Sequence, residues 1–294
     1  MKRLSYAAVA LAYLQAVLGA VVRITGSGMG CGDHWPKCHG YWFPPLERMD
    51  LIIEVTHRYV AATLTLAVLA LLFVAWRQRE SPGVGGRGGV LRPAVSAALL
   101  VVAAALLGAV TVKLDLHAAA VVIHLGLAMF LIAALALAAV RSATLSSAPS
   151  APTSRKTIRG ASVAAVMAFV AVVMGGLTAN IAGAAVSCVG FPLCRRVSLG
   201  GEPLFVQLSH RILAFLLLFH LFGMVLALRK RGEPAATNLW AKIAFFTVLS
   251  QILVAAAMVE TGLPLHLRVL HQALGTLVWL VVFVFAAVTR RPAR

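Results

Sequence analysis

Charged residues are scarce in this chain, since only 12% of its 294 residues are Asp, Glu, Lys or Arg, while 61% are hydrophobic. A soluble domain could not hydrate a surface of that composition, which indicates a polytopic membrane protein. Acidic residues are the rarest, 9 against 26 basic ones, and the net charge of +17 would by itself suggest nucleic acid. The basic residues instead cluster between apolar runs, so we expect no nucleic-acid partner.

Motifs of the common soluble cofactors are also lacking. The chain has no G-x-G-x-x-G pattern, no P-loop and no iron–sulfur cysteine spacing, so nicotinamide, nucleotide and cluster chemistry are not supported within it. No A-x-A-like cleavage site follows the first apolar segment, which we therefore interpret as a retained helix and not a signal peptide.

Long apolar runs dominate what is present. Eight of them can cross about 30 Å of hydrocarbon, and lipid forces each to be helical because no water satisfies the backbone there. A cytoplasmic N-terminus places most of the 26 basic residues on the inner side. We predict an all-α, multi-pass protein of the plasma membrane, N-in and C-in, surrounded by membrane lipid. The predicted helices span 4–22, 51–76, 94–112, 118–140, 160–181, 204–228, 239–259 and 267–289.

Cysteine occurs only four times, and the predicted topology puts every cysteine in an outer loop. Because that side is oxidising in a bacterium, two local disulfides are expected, Cys31–Cys38 and Cys188–Cys194. The spacing is wider than that of usual zinc ligand pairs, so metal binding is the weaker interpretation. The chain lacks the C-x-x-C motif that thiol–disulfide exchange proteins use. The cysteine pairs therefore have either a structural role or a role in redox chemistry or haem delivery.

The chain also repeats itself. GAVVRITGSGMGC at 19–31 resembles GLTANIAGAAVSC at 176–188, and EVTHR at 54–58 returns as QLSHR at 207–211. A histidine then follows early in the fourth helix of each half. We predict two pseudo-symmetric four-helix bundles related as parallel repeats, an N-terminal half at 1–141 and a C-terminal half at 160–294, joined by a Ser/Ala/Pro-rich linker at 142–159.

Four histidines occupy duplicated positions, at similar depth on two non-adjacent helices of each half: His57, His124, His210 and His271. A single membrane histidine more often makes an interhelical hydrogen bond, and zinc or copper also bind imidazole. Two duplicated pairs instead favour haem iron held from both faces. The other five are expected to be solvated or structural, namely His34, His39, His117, His220 and His266.

Three segments together resemble the heme A synthase family over nearly the whole chain: TGSGMGCGDHWPKCHG at 25–40, EVTHR, and LPLHLRVLHQALG at 263–275. The resemblance implies eight helices in two halves and oxidation of the heme O methyl group to a formyl, which makes heme A for terminal oxidases. It implies haem b iron on His210 and His271, and substrate heme O between His57 and His124. The first loop, CGDHWPKC, fits the paired-cysteine type but departs from the commoner CxDWPLC-like pattern.

The resemblance also bears on partners. Heme O is the implied substrate, with heme O synthase and a second copy of the chain, as a homo-oligomer, as further candidates. The electron donor is left open.

Glu54 and Gln207 distinguish the two repeats. Glu54 lies three residues before His57, on the same helix face, and an ionisable acid within a membrane segment is costly and usually functional. Its counterpart Gln207 cannot exchange a proton, so we predict that Glu54 is the catalytic proton acceptor or donor. The alternative is an ion pair with Arg58 or Arg23. Arg58 and Arg211 either contact haem propionates or reach the outer surface.

Two other functions are considered. A di-haem b-type electron-transfer cytochrome would hold two permanent haems and have no need of Glu54. A membrane transporter would have helices broken at matching places near the midplane, whereas the helix interiors here are mostly uninterrupted.

Overall fold

The computed structural model describes residues 1–32, 34, 36–145 and 151–290, with the backbone alone for Thr144. Asp33 and Trp35 of the first cysteine loop, residues 146–150 of the expected linker, and residues 291–294 lie outside the described residues. The chain divides into two compact units, Met1–Ser142 and Ala143–Arg294.

Within the described residues, eight helices are long and apolar enough to cross a membrane, as the sequence predicts. Each unit contributes four of them, and observed and predicted bounds agree to within five residues. The largest difference falls in the expected linker, where α4 extends to Thr144 and α5 already begins at Arg155. The helices are α1 (Lys2–Ile24), α2 (Met49–Arg77), α3 (Leu91–Lys113), α4 (Ala118–Thr144), α5 (Arg155–Asn180), α6 (Glu202–Arg231), α7 (Ala235–Glu260) and α8 (Leu265–Thr289).

In the first unit, small residues bring the helices together. Ala8 and Ala12 on α1 and Ala94 and Ala97 on α3 are buried, at spacings that place each pair on one helix face. Lipid tails provide no hydrophobic drive between helices, so close backbone approach through small side chains stabilises the bundle instead. A buried hydrogen bond of 2.8 Å between the hydroxyls of Ser5 and Ser142 joins α1 to α4, at the ends of these helices remote from the cysteine loop.

Small buried residues also bring the helices of the second unit together. Ala161, Ala164 and Ala168 form a buried stripe on α5, and the rings of Phe169 on α5 and Trp279 on α8 lie 5.5 Å apart. The first helix of this unit therefore packs on its last helix, and the unit closes into a four-helix bundle.

The two cysteine loops, which we define as residues 25–48 and 181–201, resemble each other in detail. Each opens with a glycine of left-handed conformation, Gly26 at φ 72° and Gly183 at φ 74°, followed by a 3₁₀ turn. Glycine suits this position because other residues are strained there. The second loop also contains a two-stranded antiparallel ribbon, β1 (Cys188–Val189) and β2 (Arg196–Val197).

Both expected cysteine pairs are joined in the structure, with Cα separations of 4.9 Å for Cys31–Cys38 and 5.2 Å for Cys188–Cys194. The first disulfide is buried against Leu51 and Val55 at the start of α2. Each disulfide therefore belongs to a compact loop at the base of a histidine-bearing helix.

Candidate functional site

Three of the four candidate histidines lie close to a glycine on the helix that precedes their own. A Cβ added at Gly19 of α1 would lie 3.1 Å from Cε1 of His57 on α2, and one at Gly175 of α5 would lie 2.9 Å from Cε1 of His210 on α6. Gly108 of α3 stands in the same relation to His124 on α4, at 3.4 Å. These glycines let the neighbouring helix approach the imidazole, and each of the histidines is only partly exposed.

In the second unit, His210 and His271 face each other with ring centroids 6.4 Å apart and planes at 85°. A metal–imidazole bond of about 2 Å, plus a ring radius of about 1 Å on each side, places two opposed ligands of one ion roughly 6 Å apart. The Nδ1 of His210 lies 2.9 Å from the carbonyl oxygen of Ala171. An Nδ1–H donated to that carbonyl leaves the Nε2 lone pair free, which is the tautomer that a metal ligand needs.

In the first unit, His57 and His124 are near enough to interact electrostatically. The side-chain nitrogen of Gln15 on α1 lies 3.1 Å from both ring nitrogens of His57. The helices of this unit therefore also bring a histidine pair together, and His57 has a polar neighbour on α1.

Three buried side-chain atoms lack a hydrogen-bond partner within the part of the chain that the structure describes, and all three belong to these two sites. They are Oε1 of Gln15, Nδ1 of His124 and Oε1 of Gln251, whose amide nitrogen lies 3.0 Å from Nδ1 of His271. Buried polar atoms are nearly always paired, so an orphaned group calls for an explanation. Their confinement to the histidine pairs fits sites that are completed by a ligand.

The number of protein ligands also bears on the kind of group that fits. Among the described residues, no cluster of three or more His, Cys, Asp or Glu side chains is arranged to hold a metal ion. A zinc site needs three or four protein ligands, whereas a porphyrin supplies its own nitrogens and leaves only axial positions to the protein. Two imidazoles per unit therefore fit haem better than a bare ion.

Glu54 is 4% exposed and its carboxylate is held from two sides. Oε1 accepts a hydrogen bond of 2.5 Å from the guanidinium of Arg58, and Oε2 accepts one of 2.8 Å from the backbone N–H of Cys31. Arg58 donates in addition to the carbonyl of His34, at 2.7 Å. The ion pair with Arg58, which the sequence leaves open as an alternative to proton exchange, is therefore formed.

Gln207 makes the equivalent contact in the second unit. Its Oε1 accepts from the backbone N–H of Cys188 at 2.6 Å and from the hydroxyl of Ser187 at 2.7 Å. Arg211 donates to the carbonyls of Gly190, at 2.7 Å, and Cys188, at 2.9 Å. In both units, the side chain three residues before the histidine fastens the first cysteine of the loop, and the arginine after the histidine binds loop carbonyls.

His220 and His39, which lie outside the two pairs, each have a local hydrogen-bond partner. Nε2 of His220 lies 2.9 Å from the carbonyl of Gly160, and Nε2 of His39 lies 2.9 Å from that of Gly30. The rings of His34 and His39 lie 4.6 Å apart in the first cysteine loop. None of these contacts reaches the histidine pairs.

The sequence did not reveal the residues that support the histidines from the neighbouring helix. Gln15 and Gly19, Ala171 and Gly175 share a spacing of four residues, which places each pair on one face of its helix. That spacing is the signal by which they could have been found.

Two four-helix units, each with a histidine pair beneath a disulfide-bonded loop, define the class of this chain as a duplicated polytopic membrane protein. The family model of cytochrome oxidase assembly proteins, COX15-CtaA, matches residues 2–283. The chain belongs to this family, and the resemblance drawn from its motifs is confirmed.

Similar proteins carry a common description. The chain is 30% identical over 263 residues to the heme A synthase of Geobacillus kaustophilus, which covers 86% of this chain and 80% of the relative. It is 28% identical over 269 residues to the heme A synthase of Bacillus cereus, covering 86% and 82%. Heme A synthase of Alkalihalophilus pseudofirmus is 27% identical over 288 residues, covering 94% and 92%.

Proposed function

We propose that this chain oxidises a methyl group of heme O to a formyl group, and so makes heme A for terminal oxidases. One observation carries the proposal beyond family membership. The side chain that binds the first cysteine of the loop, three residues before the first histidine of each pair, is the acid Glu54 in the first unit and the neutral Gln207 in the second. An acid in one of two otherwise similar sites is what a division into a chemical site and an electron-transfer site requires.

His210 and His271 would hold haem b in the second unit. Their ring separation of 6.4 Å and the hydrogen bond between His210 and the Ala171 carbonyl support this assignment. The bound haem b would supply one-electron redox chemistry. The protein contributes two imidazoles oriented by neighbouring helices and a neutral Gln207 that adds no charge beside them.

His57 and His124 would receive heme O in the first unit, with Glu54 as the residue that exchanges a proton. A carboxylate side chain at this place can exchange a proton with a bound substrate, which the amide of Gln207 cannot do. Glu54 lies one helical turn before His57, and its ion pair with Arg58 keeps it at the loop end of the site. Transfer of a proton to Glu54 would weaken that pair and release Arg58.

Arg58 and Arg211 would contact haem propionates with the donors that their loop contacts leave free. A guanidinium has five N–H donors, and each of these side chains uses part of them on backbone carbonyls. In this arrangement the arginines would link the cysteine loop to the haem edge. The bias of Lys and Arg supports an orientation with these loops on the outer side, and we propose the plasma membrane as the location.

The test is product analysis with variants at Glu54. The chain is produced in cells that make heme O, and the extracted haems are separated by chromatography. We expect heme A or a hydroxylated heme O from the wild type, and about a 10²-fold or greater loss in the Glu54→Gln variant. Glutamine keeps an acceptor for the Cys31 N–H, as Gln207 does for Cys188, so this variant removes the charge and preserves the loop anchor.

Glu54→Ala is the companion variant, because it removes both the charge and the anchor. Extraction of haem b alone from the wild type would contradict the proposed reaction and favour an electron-transfer cytochrome. Wild-type heme A production by Glu54→Gln, together with its loss in Glu54→Ala, would reduce Glu54 to an anchor of the loop.

A further inference from the structure

The first cysteine loop carries three consecutive aromatic residues, Tyr-Trp-Phe at 41–43, which we call the aromatic segment. All three side chains are exposed, and Phe43 is 82% exposed. A tight turn sets the start of the segment, because the N–H of Cys38 donates to the Tyr41 carbonyl at 3.0 Å and the Tyr41 N–H donates to the Cys38 carbonyl at 2.9 Å. Since Cys38 is also held by its disulfide, the exposure of these side chains is built into the loop. Exposed apolar patches of this kind mark interaction surfaces.

The aromatic segment packs along the side of α2. The hydroxyl of Tyr59 donates to the carbonyl of Trp42, and the rings of Phe43 and Tyr59 lie 6.0 Å apart at 61°. The ammonium of Lys37 lies 5.6 Å from the centre of the Trp42 ring, which is a cation–π contact. Tyr59 comes ten residues after the first residue of α2, so the segment lies beside the helix and not beyond its end.

The face of α2 that carries Tyr59 is directed away from the protein. Tyr59, Leu66 and Phe73 are all exposed, and their intervals of seven residues place them on one face of the helix. Leu66 and Phe73 lie well inside an apolar span that is long enough to cross a membrane. Their surroundings are therefore acyl chains, and the aromatic segment continues this exposed face toward the loop.

The length of α2 indicates the depth of Tyr59. The helix has 29 residues, whereas about 20 residues cross the hydrocarbon. Trp76 is exposed near the end remote from the loop, with the guanidinium carbon of Arg79 5.1 Å from its ring centre, and both residue types favour that interface. Counting about 20 residues back from Trp76 ends near His57. Tyr59, and the ring of Phe43 beside it, therefore lie at the loop-side edge of the hydrocarbon.

The second cysteine loop is fastened to the protein instead. Glu260, at the end of α7, accepts from the N–H of Phe191 at 2.9 Å and forms an ion pair with Arg195. Glu260 lies eleven residues before the histidine of α8, and Lys113 lies eleven residues before the histidine of α4. A lysine cannot accept these hydrogen bonds. The corresponding contact is therefore not available to the first loop, which packs its aromatic segment on α2.

We propose that the aromatic segment inserts into the lipid leaflet on the loop side, with the Phe43 ring at the outermost methylene groups and Trp42 among the headgroups. Tryptophan and tyrosine favour this zone because each has an apolar body and a polar tip. Insertion removes from water the apolar surface of Phe43. Lipid is the partner that fits, because the segment lies beside the span and extends its lipid-facing side. The first cysteine loop gains a membrane contact that is separate from the heme chemistry.

The test is a depth measurement with single spin labels on the full-length protein in lipid nanodiscs. All four native cysteines are paired in disulfides, so the cysteine of Phe43→Cys takes the label under non-reducing conditions. EPR measures collisions of the label with oxygen, which concentrates in hydrocarbon, and with a water-soluble nickel chelate. Leu66→Cys is the reference within lipid. Glu47→Cys, at an exposed charged position of the same loop, is the matched reference in water.

We expect the ratio of oxygen to nickel collisions to be several-fold higher at Phe43→Cys than at Glu47→Cys, and to approach the ratio at Leu66→Cys. Trp42→Cys is a second label position in the segment and should give an intermediate ratio, because its ring lies among the headgroups. Both replaced side chains are exposed, so the substitutions remove little packing within the protein.

A ratio at Phe43→Cys equal to that at Glu47→Cys would place the segment in water and overturn the proposed insertion. Protection of the label from both oxygen and nickel would also overturn it, since a protein surface, such as a second copy of the chain, would then cover the segment. The label reports depth whether or not the chain oxidises heme O. Failure of the proposed reaction therefore leaves this result unchanged, and the two failures are distinguishable.

Discussion

Gly175 is the position at which a single methyl group should most disturb a candidate haem ligand. A Cβ there would lie 2.9 Å from Cε1 of His210, 3.3 Å from Nδ1 and 3.5 Å from Nε2. Carbon atoms prefer separations of about 3.5 to 4.0 Å, so the ring would have to move by more than half an ångström. That movement works against the 2.9 Å contact between Nδ1 and the Ala171 carbonyl.

The magnitude follows from two contributions. Overpacking of a tight site costs about 1 to 3 kcal/mol, and loss of the His210 hydrogen bond adds about 1 kcal/mol. Alanine is itself the better helix former, by about 1 kcal/mol relative to glycine. The gain in helix propensity offsets about as much as the lost hydrogen bond costs. We therefore expect Gly175→Ala to lose about 1 to 3 kcal/mol of stability, together with an altered or missing haem b spectrum.

The assay combines the thermal unfolding temperature in detergent with the visible spectrum and haem b content of the purified protein. Gly223→Ala on α6 is the matched control, since an added Cβ there meets no atom within 4 Å. In the first unit, Gly19→Ala, at 3.1 Å from His57, should disturb its site more than Gly108→Ala, at 3.4 Å from His124.

A Gly175→Ala protein with the spectrum, haem content and unfolding temperature of Gly223→Ala would refute this reasoning. It would mean that the imidazole moves freely at that position and that the preceding helix does not orient it.

Two further predictions concern residues outside the histidine sites. Burial raises the pKa of Glu233, but hydrogen bonds from Ser154 and Thr157 outweigh this effect and hold the pKa below its usual value. The ionised Glu233 therefore stabilises the folded protein at pH values above the normal carboxyl pKa of about 4.3. This stabilisation is lost as the pH falls through the pKa of the folded state. On acidification, the thermal unfolding temperature of the wild type should accordingly fall by more than that of Glu233→Gln. Parallel plots of unfolding temperature against pH for the two proteins would contradict this. Both cysteines of the disulfide Cys31–Cys38 are buried, whereas Cys194 of the second disulfide is partly exposed. Treatment with a mild reductant, followed by alkylation and mass spectrometry, should therefore label Cys188 and Cys194 first. Equal labelling of both pairs would show that burial does not protect Cys31–Cys38.

The helices could be predicted closely because a membrane allows few alternatives. Apolar length fixes where a span begins and ends, and the strongest deviation, at the start of α5, lies where the basic segment Arg155, Lys156 and Arg159 masks the helix in a hydropathy profile. Ser154 caps that helix by accepting from the Thr157 N–H, which is a signal that apolar content does not contain.

The partners of the histidines could not be predicted in the same way. Which residue of one helix meets an imidazole on the next depends on helix rotation and depth to within one residue. The repeat, aligned by its motifs, matches Gly19 with Gly176, whereas the structure sets Gly175 against His210. Hydropathy does not determine a shift of one position, about 100° around a helix.

The difference between Glu54 and Gln207 shows what a comparison of the two repeats can and cannot predict. The exchange of Glu54 for Gln207 was visible, and so was the ion pair with Arg58 as an alternative to proton exchange. The contact with the Cys31 N–H was not, because it joins residues 23 positions apart through an irregular loop. Proton exchange by Glu54 stays a prediction.

The shared fastening of the cysteine loops has a consequence for how such duplicated proteins diverge. An acceptor oxygen on either a carboxylate or an amide can receive the same cysteine N–H. Ancestral copies could thus exchange one side chain for the other while the architecture stayed intact. The charge at this position can therefore change in one half without a change in the other. The two sites can specialise while the fold stays the same.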